Sequence, residues 1–188
     1  GSWTIAHSYG NTEGYVKSDI GQNDAGVTQD FDYPELMEGA YGDLPNDRRH
    51  SLKLFGAYKL DDEWQMGANL LVQSGRPKNC IGYYPDQNNG GAGYDNSYFY
   101  CDGHLVPRLT IGRTPWQKTL DLNIEYRPAA LVGKLAFNAD VFNVFNDHTF
   151  TEVSETGEDA PGVPAAEFGL PTAFTTPRYV RFSVNYDF

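Results

Sequence analysis

The sequence predicts an all-β fold, a transmembrane antiparallel β-barrel to which this chain supplies six strands. Three observations predict it. Apolar residues recur at every second position in six segments, the period of a strand, whose successive side chains point to opposite faces. The connections alternate between short turns and long loops. The last segment sets Val180, Phe182, Val184, Tyr186 and Phe188 on one face against Tyr179, Arg181, Ser183, Asn185 and Asp187. Strand ends in soluble domains fray into water, so a final bare aromatic there has little to pack on. In a barrel it joins the aromatic girdle at the lipid interface. An edge strand of a soluble β-sandwich is the alternative reading of this segment on its own.

The first segment, Trp3 to Asn11, opposes Trp3, Ile5, His7 and Tyr9 to Thr4, Ala6, Ser8 and Gly10. The second, Arg49 to Leu60, opposes Leu52, Leu54, Gly56, Tyr58 and Leu60 to Ser51, Lys53, Phe55, Ala57 and Lys59. The third, Trp64 to Gln73, opposes Trp64, Met66, Ala68, Leu70 and Val72 to Gln65, Gly67, Asn69 and Gln73. The fourth, Trp116 to Tyr126, sets Leu120, Leu122, Ile124 and Tyr126 against Asp121, Asn123 and Glu125. The fifth, Lys134 to Phe145, sets Leu135, Phe137, Ala139 and Val141 against Asn138 and Asp140. The terminal strand, Arg178 to Phe188, is the sixth. Asp121, Glu125, Asp140, Arg181 and Asp187 all fall on the polar face.

Composition narrows the function classes. No apolar run approaches the ~20 residues of a membrane helix, but barrel strands escape that test because only alternate residues meet lipid. The 13 Tyr, 11 Phe and 3 Trp suit interface girdles as well as a sandwich core. A net charge of −11 argues against nucleic acid as a partner, since phosphates need a basic surface. Gly1-Ser2-Trp3-Thr4 lacks the basic start and apolar core of a secretion signal. Either processing removed one, or the chain is a piece of a longer polypeptide.

Leu60 to Glu63 and Arg127 to Gly133 read as short turns, and residues 11–48, 74–115 and 147–177 as long loops rich in Gly, Pro, Asn and acids. Long loops without structure of their own are uncommon in compact soluble domains. Short turns at one end and long loops at the other describe an outer-membrane barrel. Tyr58, Trp64, Tyr126, Tyr186 and Phe188 would then gather at the periplasmic rim as an aromatic belt.

Five motifs occur in order: Asp43-Leu44-Pro45-Asn46-Asp47-Arg48-Arg49-His50, Gln73-Ser74-Gly75-Arg76-Pro77, Gly112-Arg113-Thr114-Pro115-Trp116, Asp140-Val141-Phe142-Asn143-Val144-Phe145-Asn146 and Thr176-Pro177-Arg178-Tyr179-Val180-Arg181-Phe182. Together they resemble the C-terminal end of a TonB-dependent outer-membrane receptor, in particular the Oar-like branch with a carboxypeptidase-regulatory-like N-terminal domain. The resemblance implies a large barrel of about 22 strands, of which this chain supplies about the last six, a plug inside it, an N-terminal TonB-binding box, energised import of a solute, and a home in the bacterial outer membrane. It implies that Phe182, Val184, Tyr186 and Phe188 form the signal read by the outer-membrane assembly machinery. The remaining strands and the plug must come from another chain or from upstream sequence, because open sheet edges are not tolerated in lipid. A structural or adhesive barrel without energised import and a secreted carbohydrate-binding sandwich are the alternatives.

Cys80 and Cys101 are the only cysteines. Both lie in the second long loop, and an oxidising periplasm favours a disulfide between them, about 3 kcal/mol by chain entropy. A free pair or a metal site is the alternative, although no Cys-x-x-Cys spacing supports metal. His7, His50, His104 and His148 show no paired spacing and read as solvated or interfacial. Gly90-Gly91-Ala92-Gly93 reads as a loop tip, lacking a preceding strand and the dinucleotide spacing. No Gly-x-Ser-x-Gly elbow and no catalytic carboxylate pair is evident, so no catalytic residue, resident cofactor or metal ligand is assigned and an enzyme is not expected.

The first loop carries Glu13, Asp19, Asp24, Asp30, Asp32, Glu35, Glu38 and Asp43 against Lys17, and the third carries Asp147, Glu152, Glu155, Glu158, Asp159 and Glu167. Such oxygens suit Ca²⁺, but Asp19 to Asp30 and Asp30-Phe31-Asp32 lack the order and closing Glu of an EF-hand, which favours solvated charge. Tyr15, Tyr33, Tyr41, Tyr83, Tyr84, Tyr94, Tyr98, Phe99 and Tyr100 would serve either as amphipathic ligand contacts or as the packing of the loops on themselves.

Overall fold

Alternation that runs through six segments should give a sheet with one apolar and one polar face, and the chain folds accordingly. The computed structural model describes residues 1–11, 31–108, 110–131 and 135–186. Strands Ser2–Ile5, His50–Lys59, Trp64–Gln73, Gln117–Tyr126, Leu135–Phe142 and Tyr179–Tyr186 form one antiparallel sheet in sequence order. They are called the first to sixth strands below.

Register carries the apolar face from strand to strand. Tyr58, Met66, Ile124, Ala139 and Phe182 form one cross-strand row, and Gly56, Ala68, Leu122, Val141 and Val180 the next. On the opposite face Gly67, Asn123, Asp140 and Arg181 align. Asn123 donates to Asp140 at 2.6 Å, and Arg181 reaches the same carboxylate at 2.9 and 3.0 Å. A one-residue slip would exchange the two faces, so the matched rows fix the pairing. Phe55, opposite Asn69, is an exposed aromatic on the polar face.

Among the described residues no second sheet covers the apolar rows. Phe182 is 79% exposed and Val184 61%, where a sandwich would bury both. The first and sixth strands each have a sheet neighbour on one side only among the described residues, so the six strands form an open sheet.

Strand ends differ from expectation where side chains redirect the backbone. The first strand stops at Ile5 instead of running to Asn11, and Tyr9–Gly10 leaves the sheet to pair with Gly42–Asp43. The fifth ends at Phe142 instead of Phe145, because Asn143 turns left-handed at φ 48° with its amide bound to the Asp121 carboxylate at 2.9 Å. Lys134 and the terminal Asp187 and Phe188 lie outside the described residues.

Aromatic side chains collect at both strand ends. At the turn end Trp64 stacks on Tyr126 at 4.4 Å, with Phe137 6.4 Å beyond. At the loop end His50 stacks on Trp116 at 5.8 Å and lies 6.0 Å from Trp3.

The long loops do have structure of their own. Pro34–Met37 is a helical turn, Tyr100–Cys101 pairs with His104–Leu105, Phe150–Val153 with Pro171–Phe174, and Glu158–Ala160 with Val163–Pro164. Leu36, Ala40, Ile81, Tyr98 and Phe99 form a buried cluster built wholly from loop residues. The packed core of the chain therefore sits above the strands, in a cap woven from the connections.

Candidate functional site

Three of the five sequence motifs converge where the second to fourth strands meet the cap. Asp43 and Asp47, both buried, share the guanidinium groups of Arg49 and Arg113. Arg49 donates to Asp43 at 2.5 Å and to Asp47 at 2.9 Å, and Arg113 donates to Asp43 at 2.5 Å, to Asp47, and to the Gly75 carbonyl at 3.0 Å. Ser8 N–H binds Asp47 at 2.7 Å, and His7 Nε2 lies 2.8 Å from Asp43, which ties the end of the first strand into the same clasp. A Cβ on Gly75 would overlap the Thr114 carbonyl, so only glycine allows the second and third motifs to touch. Thr114 N–H donates to the Arg76 carbonyl at 2.8 Å and Arg76 N–H donates to Thr114 Oγ1 at 3.1 Å across that contact, and Arg76 reaches Glu155 at 2.8 Å and Glu152 at 2.5 Å in the third loop.

Burial alone would raise the carboxyl pKa of Asp43, but hydrogen bonds from Arg49, His7 and Arg113 outweigh it and hold the group below its ordinary value. Asp47 behaves alike, its burial outweighed by Ser8 N–H, Arg113 and Arg49. The arrangement matches each buried charge with an opposite one. The four ion pairs fasten the first loop to the third motif at the mouth of the sheet.

The other two motifs form a second clasp. Asn143 Nδ2 donates to the Thr176 carbonyl at 2.8 Å and to the Asp147 carbonyl at 3.1 Å, and Asp147 N–H returns a bond to Asn143 Oδ1 at 2.9 Å. Arg178 N–H binds Asn146 Oδ1 at 3.1 Å. Asn146 is left-handed at φ 51°, as Asn143 is at 48°, a conformation Asn tolerates better than most residues.

Above the clasps, Cys80 and Cys101 are bonded to each other, with Cα atoms 6.2 Å apart. Tyr98 and Phe99 are core residues of the cap and face no solvent. Tyr84 donates to Glu38 at 3.4 Å, Tyr100 to Glu38 and Tyr94 to Asp32. The bond to Glu38, with burial, pushes the Tyr100 phenol up to about 12. Tyr41 is 66% exposed and meets Tyr9 edge-on at 4.8 Å, an aromatic pair open to solvent. Among the described residues no group of three or more His, Cys, Asp or Glu side chains could hold a metal. Glu13, Tyr15, Lys17, Asp19, Asp24 and Asp30 lie outside the described residues. Phe182, Val184 and Tyr186 lie together on the exposed apolar face, next to the turn end of the sheet.

Sequence reasoning took the Asp/Arg and Asn motifs as marks of kinship and missed that they bind one another. The available signal was their charge, acids in the first motif and a lone Arg in the third, at the two ends of a stretch that holds the second and third strands and the second long loop.

Over its whole length the chain is 30% identical, across 228 residues, to the TonB-dependent transporter Oar of Myxococcus xanthus. It spans 20% of that protein's length. The chain is thus related to TonB-dependent transporters. No family model and no solved structure matches it.

Proposed function

We propose that the chain is the C-terminal part of the barrel of a TonB-dependent receptor of the Oar-like branch, importing an unidentified solute across a bacterial outer membrane with energy delivered through TonB. The carrying observation is the two-faced open sheet, with apolar rows continuous across five strands and exposed at Tyr58, Met66, Leu122, Val180 and Phe182, in a chain related over its full length to such a transporter. Exposed rows of this kind find their burial in lipid, while the polar face with Asn123, Asp140 and Arg181 lines the interior. The outer edges of the first and sixth strands, which have no sheet neighbour among the described residues, take neighbours from the remainder of a larger barrel, which surrounds a plug and carries the TonB-binding segment. Phe182, Val184 and Tyr186, continued by Phe188, act as the assembly signal. The cap lies on the extracellular side, where exposed groups such as Tyr41 and Tyr9 meet solute.

The full-length protein in outer-membrane preparations tests this reading. It should run as a heat-modifiable band and cross-link to the periplasmic domain of TonB. A heat-modifiable barrel that never cross-links to TonB would leave an adhesive or structural barrel in place of an importer. A protein soluble without detergent would remove the barrel altogether.

A further inference from the structure

The cystine closes residues 80–101 within the second loop, so its effect should by itself stop there. Its surroundings belong to the third loop. Gly157 lies so close that a Cβ on it would overlap both sulfurs. Its N–H donates to the Ile81 carbonyl at 2.7 Å, and Ile81 N–H donates to the Glu155 carbonyl at 2.9 Å. Next in sequence, Glu158 is only 2% exposed. One carboxylate oxygen accepts Tyr83 N–H at 2.8 Å and the other accepts Asp102 N–H at 2.7 Å. Those donors stand just past Cys80 and directly after Cys101, one on each arm that the disulfide ties. The turn of Asp102 and Gly103, at φ 51° and 69°, sets the second arm. Ala165 N–H then binds the Gly157 carbonyl at 2.9 Å, which closes the Glu158–Ala160 and Val163–Pro164 hairpin over the same point.

We propose that Cys80–Cys101 and Glu158 form one inter-loop latch. The disulfide holds two backbone amides at the separation of a carboxylate, and Glu158 of the third loop locks into that seat. The cystine therefore positions the third loop as well as closing the second, and opening it releases both loops. A buried carboxylate that loses even one donor bears a desolvation penalty, so a small spreading of the arms releases it. This holds whether or not the protein is an importer.

Hydrogen exchange read by mass spectrometry, on the full-length protein in its detergent-solubilised form, tests the latch. A variant with both cysteines replaced by Ser should show amides of residues 157–165 exchanging at least about tenfold faster, together with those of 81–102. Glu158→Gln should release 157–165 in the same way with the cystine still intact by mass. Where the serine variant fails to assemble, the folded wild-type protein is treated with a dithiol. Two electrons then pass from the dithiol to the cystine, giving two cysteine thiols and a cyclic disulfide, and the third loop should be released. Faster exchange confined to 81–102, with 157–165 at the wild-type rate, would overturn the proposal.

Discussion

Phe99 and Phe182 are the same residue at opposite extremes, 1% exposed in the cap and 79% exposed on the sixth strand. Phe99 packs with Leu36, Ala40, Ile81 and Tyr98, and Arg108 lies over its ring at 4.8 Å. Phe182 stands opposite Ala139 in the sheet, with most of its surface open. The cap completes its burial within the chain. Among the described residues the sheet satisfies its backbone between its own strands but not along its two outer edges, and it leaves its apolar side chains to the surroundings. One polypeptide thus follows two rules, and the boundary between them is where the Asp/Arg and Asn clasps lie.

Truncating the two phenylalanines sharpens that contrast most. Phe99→Ala should cost about 3–5 kcal/mol of cap stability, since transfer and cavity terms add in a closed core. Phe182→Ala should cost only about 1.5–3 kcal/mol in a bilayer, because acyl chains flow into the space and no cavity remains. Thermal unfolding of the full-length protein in lipid vesicles, followed separately by probes in the cap and in the strands, measures both. Equal costs would mean that the sheet face is packed against protein.

Charge placement is the next lever. Val184→Arg should cost about 2–4 kcal/mol of folding into bilayers if that position lies near the midplane, and Ser183→Arg far less. Smaller again is Arg113→Ala in the first clasp, about 1.5–3 kcal/mol, because Arg49 still pairs with Asp43 and Asp47. Proteolysis of the loops on the intact protein would register it, with the strands unaffected.

How much of this was legible in the sequence depends on the distance over which the signal acts. Strand periodicity is local, so the third strand was read to the residue and the second and fourth to within one. Where the first and fifth strands were drawn too long, a side chain intervened: Asp47 takes Ser8 N–H out of the ladder, and Asn143 adopts a left-handed turn. The disulfide followed from count and compartment. The cap core did not, because Leu36, Ile81 and Phe99 come from separate loops with no shared period. Asp102-Gly103 between Tyr100-Cys101 and His104-Leu105 was a readable hairpin signal that went unread.

Acidification gives the mildest test of the boundary. The Asp43 and Asp47 carboxyls sit below their ordinary value in the folded clasp. Their contribution is complete above the unfolded carboxylate pKa and is lost as pH falls through it towards the depressed folded value. Protection against hydrogen exchange around residues 43–50 and 112–114, taken relative to the intrinsic rate at each pH, should therefore fall below about pH 4 and be flat from about pH 5 to 8. Loosening as pH rises through neutrality would assign the clasp to another titrating group.

The central claim is that one face of the sheet meets lipid and the other does not. It is tested most directly by single fluorescent labels on the full-length protein in vesicles, at Leu122 and Val184 on one face and at Asn123 and Ser183 on the other. Lipid-borne quenchers should darken the labels at Leu122 and Val184 and spare those at Asn123 and Ser183. The same quenching at all four positions, or the reverse pattern, would contradict the account.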